Sequence, residues 1–137
     1  MLVINPALSV KSIAELIILA KSKKGSISYG SSGYGSAIHM ESEILALTTG
    51  SRMVRVPYKG DAPALTDVIG GQISFLMTSP PSALQNHRAG RVRALGTTGG
   101  TRHSDMLDLP SIELAKHMLR EFAEWANIAK KIGTHLD

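Results

Sequence analysis

The chain contains no cysteine. Neither a disulfide nor a thiolate metal site can be built from it, and its redox compartment is left open. Aromatic side chains are scarce, with one tryptophan, three tyrosines and two phenylalanines in 137 residues. The interior must come from Ile, Leu, Val, Ala and Met, which a hydrophobic share of 43% supplies in globular proportion. No apolar run is long enough to cross a bilayer. Nor does any stretch have the build of a signal peptide, because Met1 is followed at once by Leu2-Val3-Ile4-Asn5, which reads as a strand. The net charge of +4 invites a nucleic-acid reading. The basic residues, among them Lys11, Lys21, Arg52, Lys59, Arg88, Lys116 and Lys130, are dispersed, however, and none forms a stripe with aromatics between. No nucleic-acid partner is expected; what remains is a mild attraction for anionic ligands.

Catalytic signatures are missing too. His39, His87, His103, His117 and His135 fall in no HExxH or similar metal pattern, and Gly33-Tyr34-Gly35-Ser36-Ala37 is not a GxSxG elbow. No metal, no cofactor and no enzyme activity are expected.

What is present is an alternation of short apolar strands and amphipathic helices. Leu2–Ile4 is a strand stopped by Asn5-Pro6. Ser12 with Glu15 three residues on forms a capping box for a helix whose apolar face is Ile13, Leu16, Ile17 and Ala20, ending at Gly25. Ile27 and Tyr29 open a second strand, and a helix through Met40, Ile44 and Leu47 runs to Gly50. Met53–Val56 is a third strand, closed by Pro57, after which Asp61 caps a short helix stopped at Gly70-Gly71. Ile73–Met77 is a continuous apolar strand of the doubly buried kind. Pro80 and Pro81 suit the first turn of a helix to about Arg88, and Val92–Leu95 is a last strand before the polar loop Gly96–Ser104. This order predicts an α/β fold, a Rossmann-like, mostly parallel sheet with helices on both faces. From Ser111 onward, Ile112, Ala115, Leu119, Phe122, Ala126, Ala129 and Ile132 recur at helical spacing, so residues 111–137 read as one long helix beside a domain of residues 1–110.

The stretch with the most chemistry is Ile27–Met40, ISYGSSGYGSAIHM. Gly30, Gly33 and Gly35 permit backbone angles closed to other residues, and Ser36 is a good N-cap. The first amides of the following helix are an anion site by geometry and dipole. Ser31, Ser32 and Ser36 add hydroxyls without charge. Two readings stand: a cradle for a carboxylate or other anion, or a strand-to-helix turn that is glycine-rich for tightness alone. A Walker loop is disfavoured because Ser36 and Ala37 follow the second glycine where Lys and Ser or Thr are needed, and the GxxGxG spacing is not the dinucleotide fingerprint. In a parallel sheet the connections Pro57–Gly60 and Thr78–Pro80 open on the same edge, where Lys59 could neutralise a carboxylate and Tyr58 and Thr78 could hydrogen-bond it. His39 lies three residues into the helix, next to the loop.

Three stretches in succession, SYGSSGYGSAIHM, VPYKGDAPALTDVIGGQISFLM and AGRVRALGTT, resemble the Bug-type solute-binding proteins, the extracytoplasmic receptors of tripartite tricarboxylate transporters. The resemblance runs from about Leu2 to Leu114. It implies one lobe of a two-lobed, type II periplasmic binding protein that clamps a small carboxylate between lobes and works with transporter membrane subunits. It also implies that the second lobe contributes the GSxxH loop, here Gly35, Ser36 and His39 preceded by Ser31, Ser32 and Gly33. In such receptors amides, hydroxyls and bridging waters hold the carboxylate. Ser74 and Thr78 stand where Asp is frequent in the family, and LREFAEWANIAKKIG resembles its C-terminal helix but follows DLPSIELA too closely. The chain therefore reads as a second lobe with an internal deletion, closed by the terminal helix and without a first lobe. A periplasmic location and a homodimer are expected, the latter through strand edges and apolar surface at Leu2–Ile4, Val92–Leu95 and Phe122/Trp125. The alternative is a truncated or repurposed self-associating domain that binds no solute.

Overall fold

Five strands and four helices alternate in the computed structural model, which describes residues 1–22 and 26–98 together with Ser104 and Leu109. In chain order these are β1 (Leu2–Ile4), α1 (Ile13–Ser22), β2 (Ser28–Ser31), α2 (Ala37–Thr49), β3 (Val54–Pro57), α3 (Asp61–Ile69), β4 (Phe75–Met77), α4 (Pro80–Arg88) and β5 (Arg93–Gly96). The helix stop expected at Gly25 and the helix expected over 111–137 lie outside the described residues, as does most of the loop expected after Gly96.

Local chemistry explains the boundaries. Ser12 Oγ accepts from Glu15 N at 3.1 Å, and the Glu15 carboxylate reaches back to Lys11 N at 2.8 Å, a capping box displaced by one residue. Gly50, at φ 66°, closes α2 with its amide on Ala46 O and Leu47 O. The cap of α3 differs from expectation. Gly60 occupies that position without a side-chain bond, and Asp61 is the first helical residue. Beyond α3, the Asn5 side chain donates to Val68 O (2.8 Å) and Ile69 O (3.0 Å), tying the end of β1 to the last turn.

The sheet order is β3-β2-β4-β1-β5. β2 pairs in parallel with β3 and β4, whereas β1 runs antiparallel to both of its neighbours, β4 and β5. The sheet is thus mixed rather than wholly parallel. Strand–helix alternation fixes where crossovers are needed but not which strand a short apolar segment will pair with, and Leu-Val-Ile buries equally well in either direction. Wedged between β4 and β5, β1 is fully enclosed, with Leu2, Val3 and Ile4 all 0% exposed. The expectation that Leu2–Ile4 presents a free edge is corrected accordingly. The outer strands among the described residues are β3 and β5, and Val92, Ala94 and Leu95 turn their side chains inward.

Helices cover both faces, as the alternation predicts. Leu2, Ile4, Tyr29, Phe75, Met77 and Leu95 face α1 and α2 through Leu16, Ala20, Ile44 and Leu45. Val3, Leu76 and Ala94 face α3 and α4 through Ala64, Val68, Ala83 and Leu84. Tyr29 stacks on Phe75, its partner in the parallel ladder, with ring centroids 5.6 Å apart. Gly30 owes its place to closeness. A β-carbon there would sit 3.0 Å from Ala64 Cβ and Ile73 Cδ1 and 3.2 Å from Leu76 Cδ1, and its φ is not positive.

Candidate functional site

Because β2, β3 and β4 are parallel, their carboxyl ends at Ser31, Pro57 and Met77 share one edge of the sheet. β5 runs the same way, being antiparallel to β1, so Thr97 and Thr98 leave the sheet on that edge too. The loop 32–36 bends there on two left-handed glycines, Gly33 at φ 134° and Gly35 at φ 73°. Tyr58 N donates to Ser31 O at 2.8 Å, which fastens the second connection against the first.

Ser36 caps α2. Its Oγ accepts from His39 N at 3.2 Å and donates to Gly33 O at 3.0 Å, so one hydroxyl fixes both the helix start and the turn before it. The first turn-to-turn bond of the helix is Met40 N to Ser36 O, 2.9 Å. The Ala37 and Ile38 amides precede it and, by helix geometry, carry no intrahelical partner. They point out of the positive end of a 13-residue helix at the sheet's carboxyl edge.

Beneath the loop lies a continuous polar and aromatic chain. His39 is 2% exposed, and its Nδ1 accepts from Gly35 N at 3.0 Å. Its Nε2 stands 3.8 Å from Glu43 Oε1, and Glu43 in turn accepts the Tyr29 hydroxyl proton. The Tyr34 ring meets His39 edge-on at 5.5 Å between centroids, and the Arg55 guanidinium lies 3.8 Å above the Tyr34 ring. Arg55 also donates to Ser31 Oγ at 2.8 Å. Burial, then the Arg55 charge, hold His39 below its ordinary range against the pull of Glu43. Burial and Glu43 push the Tyr29 phenol far above the usual tyrosine value.

The predicted site residues thus fall into groups. Ser32, Gly33, Gly35 and Ser36 form the outer surface of the loop, while Ser31 (0% exposed) and His39 lie under it. Tyr58 directs its hydroxyl to Asp67 Oδ2, 2.6 Å away, and burial first, then Asp67, push its phenol up to about 12. Lys59 is exposed on the neighbouring connection. Thr78 donates to Asp61 Oδ2 at 3.1 Å, and Asp61 Oδ1 is enclosed without a partner among the described residues. Sequence reasoning missed Arg55, Tyr34, Glu43 and Asp61. For Arg55 the sequence signal was a charge set between Val54 and Val56; in the structure it is half-buried, with no carboxylate within 4.0 Å among the described residues.

Two clefts lie away from this edge. One of about 480 Å³ is lined by Glu43, Leu47, Arg52, Met53 and Val54 beside β3, and one of about 370 Å³ by Asn5, Leu8, Gln72 and Ser74 at the opposite end of the strands. Among the described residues no helix is long and apolar enough to cross a membrane, and no cluster of His, Asp and Glu could hold a metal.

The model of the tripartite tricarboxylate transporter family receptor matches residues 1–132. The chain belongs to that family. The family is one of transport receptors, not enzymes. Among its curated relatives, a protein encoded in the tcbD–tcbE intergenic region of Pseudomonas sp. strain P51 is 34% identical over 90% of this chain and 37% of its own length. BugT of Bordetella pertussis is 32% identical over 81% of this chain and 34% of its own. Among solved structures, Rpa4515 of R. palustris, determined with adipate, superposes with a TM-score of 0.79 at 33% identity, over 84% of this chain and 38% of that one. The periplasmic binding protein BugD superposes at 0.77 with 27% identity, over 83% of this chain and 38% of its own. The chain therefore spans a little over a third of the length of these receptors, and the part it spans is an α/β periplasmic-binding-protein lobe with a mixed sheet.

Proposed function

We propose that this receptor-family chain is a carboxylate-binding lobe whose ligand sits on the Gly33–Ile38 turn. The observation that carries the reading is the pair of uncommitted amides, Ala37 and Ile38, presented by a Ser36-capped helix on the edge where four strand ends converge. Ser32 and Ser36 border them, and Lys59 and Thr78 line the adjacent connections. Family membership supports a small carboxylate as ligand, membrane subunits of a tripartite transporter as partners and the periplasm as the place of work; adipate, bound to Rpa4515, is the natural probe.

One lobe offers one jaw. Good sites bury about 70–90% of a small ligand, and a single jaw leaves much of it in water, so the chain alone should bind weakly. A titration of the ¹⁵N-labelled chain with millimolar adipate at pH 7.5 tests the reading. The amides of Gly35, Ser36, Ala37 and Ile38 should move together, and Ser36→Ala should flatten their response. If those amides stay still while others move, or none moves, the reading falls.

Self-association belongs to the same proposal. β3 is an outer strand with Val54 46% exposed, beside Leu47 at 50%, and such an edge favours pairing with a second copy. The spacing of Ile112, Leu119, Phe122 and Ile132 supports a terminal helix that packs on the lobe or on that second copy. Light scattering at micromolar concentration should return a dimer, which Val54→Lys should dissociate; a monomer at all concentrations would refute it.

A further inference from the structure

Resting on the reading of the Gly33–Ser36 turn as the ligand cradle, we propose that His39 is its positioning residue, acting through a bare Nδ1 that holds Gly35 N. The turn contains two glycines at positive φ and closes on one long backbone bond of its own, Ser36 N to Gly33 O at 3.5 Å, so side chains must hold its shape. Two do. Ser36 Oγ takes Gly33 O from the near side, and His39 Nδ1 takes Gly35 N from beneath. An amide N–H can only donate, so Nδ1 must be the unprotonated nitrogen and the ring proton must sit on Nε2, toward Glu43.

A serine hydroxyl could rotate to suit either partner; a histidine cannot. Protonation turns Nδ1 from an acceptor into a donor and sets two N–H groups against each other at 3.0 Å. The surroundings oppose that change. The ring is 2% exposed and packed edge-on against Tyr34, and the Arg55 guanidinium reaches over from β3. Glu43, one turn on in α2, is the charge that favours protonation, and its Oε1 already takes the Tyr29 hydroxyl from β2. Burial and Arg55 outweigh it, so the neutral ring persists below the ordinary histidine range. The turn therefore has one shape while His39 is neutral and loses that shape in acid.

The test needs no ligand, which separates it from the carboxylate reading. In the full ¹⁵N-labelled chain, the His39 imidazole and the Gly35 amide are followed from pH 7.5 to 4.5 in wild type, His39→Asn and His39→Leu. At pH 7.5 Nδ1 should resonate as an unprotonated nitrogen, and on acidification Gly35 N–H should shift with the apparent pKa of the ring. Asparagine carries its Oδ1 at the position of Nδ1 and does not titrate, so His39→Asn should keep the neutral-pH Gly35 shift throughout. His39→Leu should display a displaced shift at every pH; if that variant does not fold, the asparagine variant and the imidazole spectrum decide. A protonated Nδ1 at pH 7.5, or a wild-type Gly35 amide that does not follow the titration of the ring, overturns the proposal. Motionless loop amides in the adipate titration would instead overturn the carboxylate reading and leave the Gly35–His39 linkage to its own spectra.

Discussion

Gly30→Ala puts one methyl group where β2 passes under α3, and its cost can be worked from three distances. The new carbon would meet Ala64 Cβ at 3.0 Å, Ile73 Cδ1 at 3.0 Å and Leu76 Cδ1 at 3.2 Å. The two Cδ1 atoms end flexible side chains and can give by a few tenths of an ångström. Ala64 Cβ is fixed to the backbone of α3 and is fully buried, so relief there requires the helix itself to move. Overpacking of this kind costs about 1–3 kcal/mol, and at ordinary urea sensitivities that lowers the unfolding midpoint by roughly 0.5–2 M. The assay is urea unfolding followed by circular dichroism, with Ala64→Gly as companion. Alone, Ala64→Gly should cost about 0.8–1.0 kcal/mol as a helix-interior glycine. Combined with Gly30→Ala it should cost less than the sum, because it removes the stiffest contact. A Gly30→Ala variant as stable as wild type, or strict additivity in the pair, would refute the close-approach argument.

Ser36→Ala removes the cap of α2 and the hydroxyl on Gly33 O, and should lower stability by about 0.5–2 kcal/mol in thermal or urea unfolding. Arg55→Gln takes away the charge above Tyr34 that helps hold His39 neutral, so the His39 imidazole should titrate at higher pH, as proton or nitrogen resonances would report. Between pH 7 and 5 the His39 contribution to wild-type stability should be lost as pH falls, while Glu41, its carboxyl raised by burial, works the other way. The unfolded histidine takes a proton near about 6.5, the folded one takes it at lower pH, and in that window the unfolded chain binds more protons at this residue. His39→Asn should flatten that part of the profile. Ultraviolet titration should show one tyrosine ionising at about pH 12, lost in Tyr58→Phe.

Most of the fold could be read in advance where one local rule acted alone. Ser12 with Glu15, Ser36, Gly50 and the Pro80-Pro81 pair each announce a helix boundary through capping or backbone geometry, and each boundary falls where that chemistry puts it. The direction of β1 could not be read, since three apolar residues buried on both faces carry no polarity. The role of Gly30 was misjudged for a related reason. Sequence shows that a glycine is present, and only packing shows whether conformation or space demands it. At the site, the Gly/Ser loop was legible because its residues are contiguous. Arg55, Tyr34 and Glu43 join it from β3, from the loop tip and from one turn along α2, through pairings such as Tyr29 with Arg55 that no local pattern encodes.

The place of β1 between β4 and β5 has a consequence for how this lobe forms during synthesis. β3, β2 and β4 can pair as soon as residue 77 has emerged, but β5 has no ladder to any of them among the described residues; it joins through β1. Ile4 must wait for Phe75 and Leu2 for Gly96, so β1 is made well before either of the strands that place it. Pairings so distant in sequence are slow to close, and until they do the three apolar residues of β1 stand unpaired.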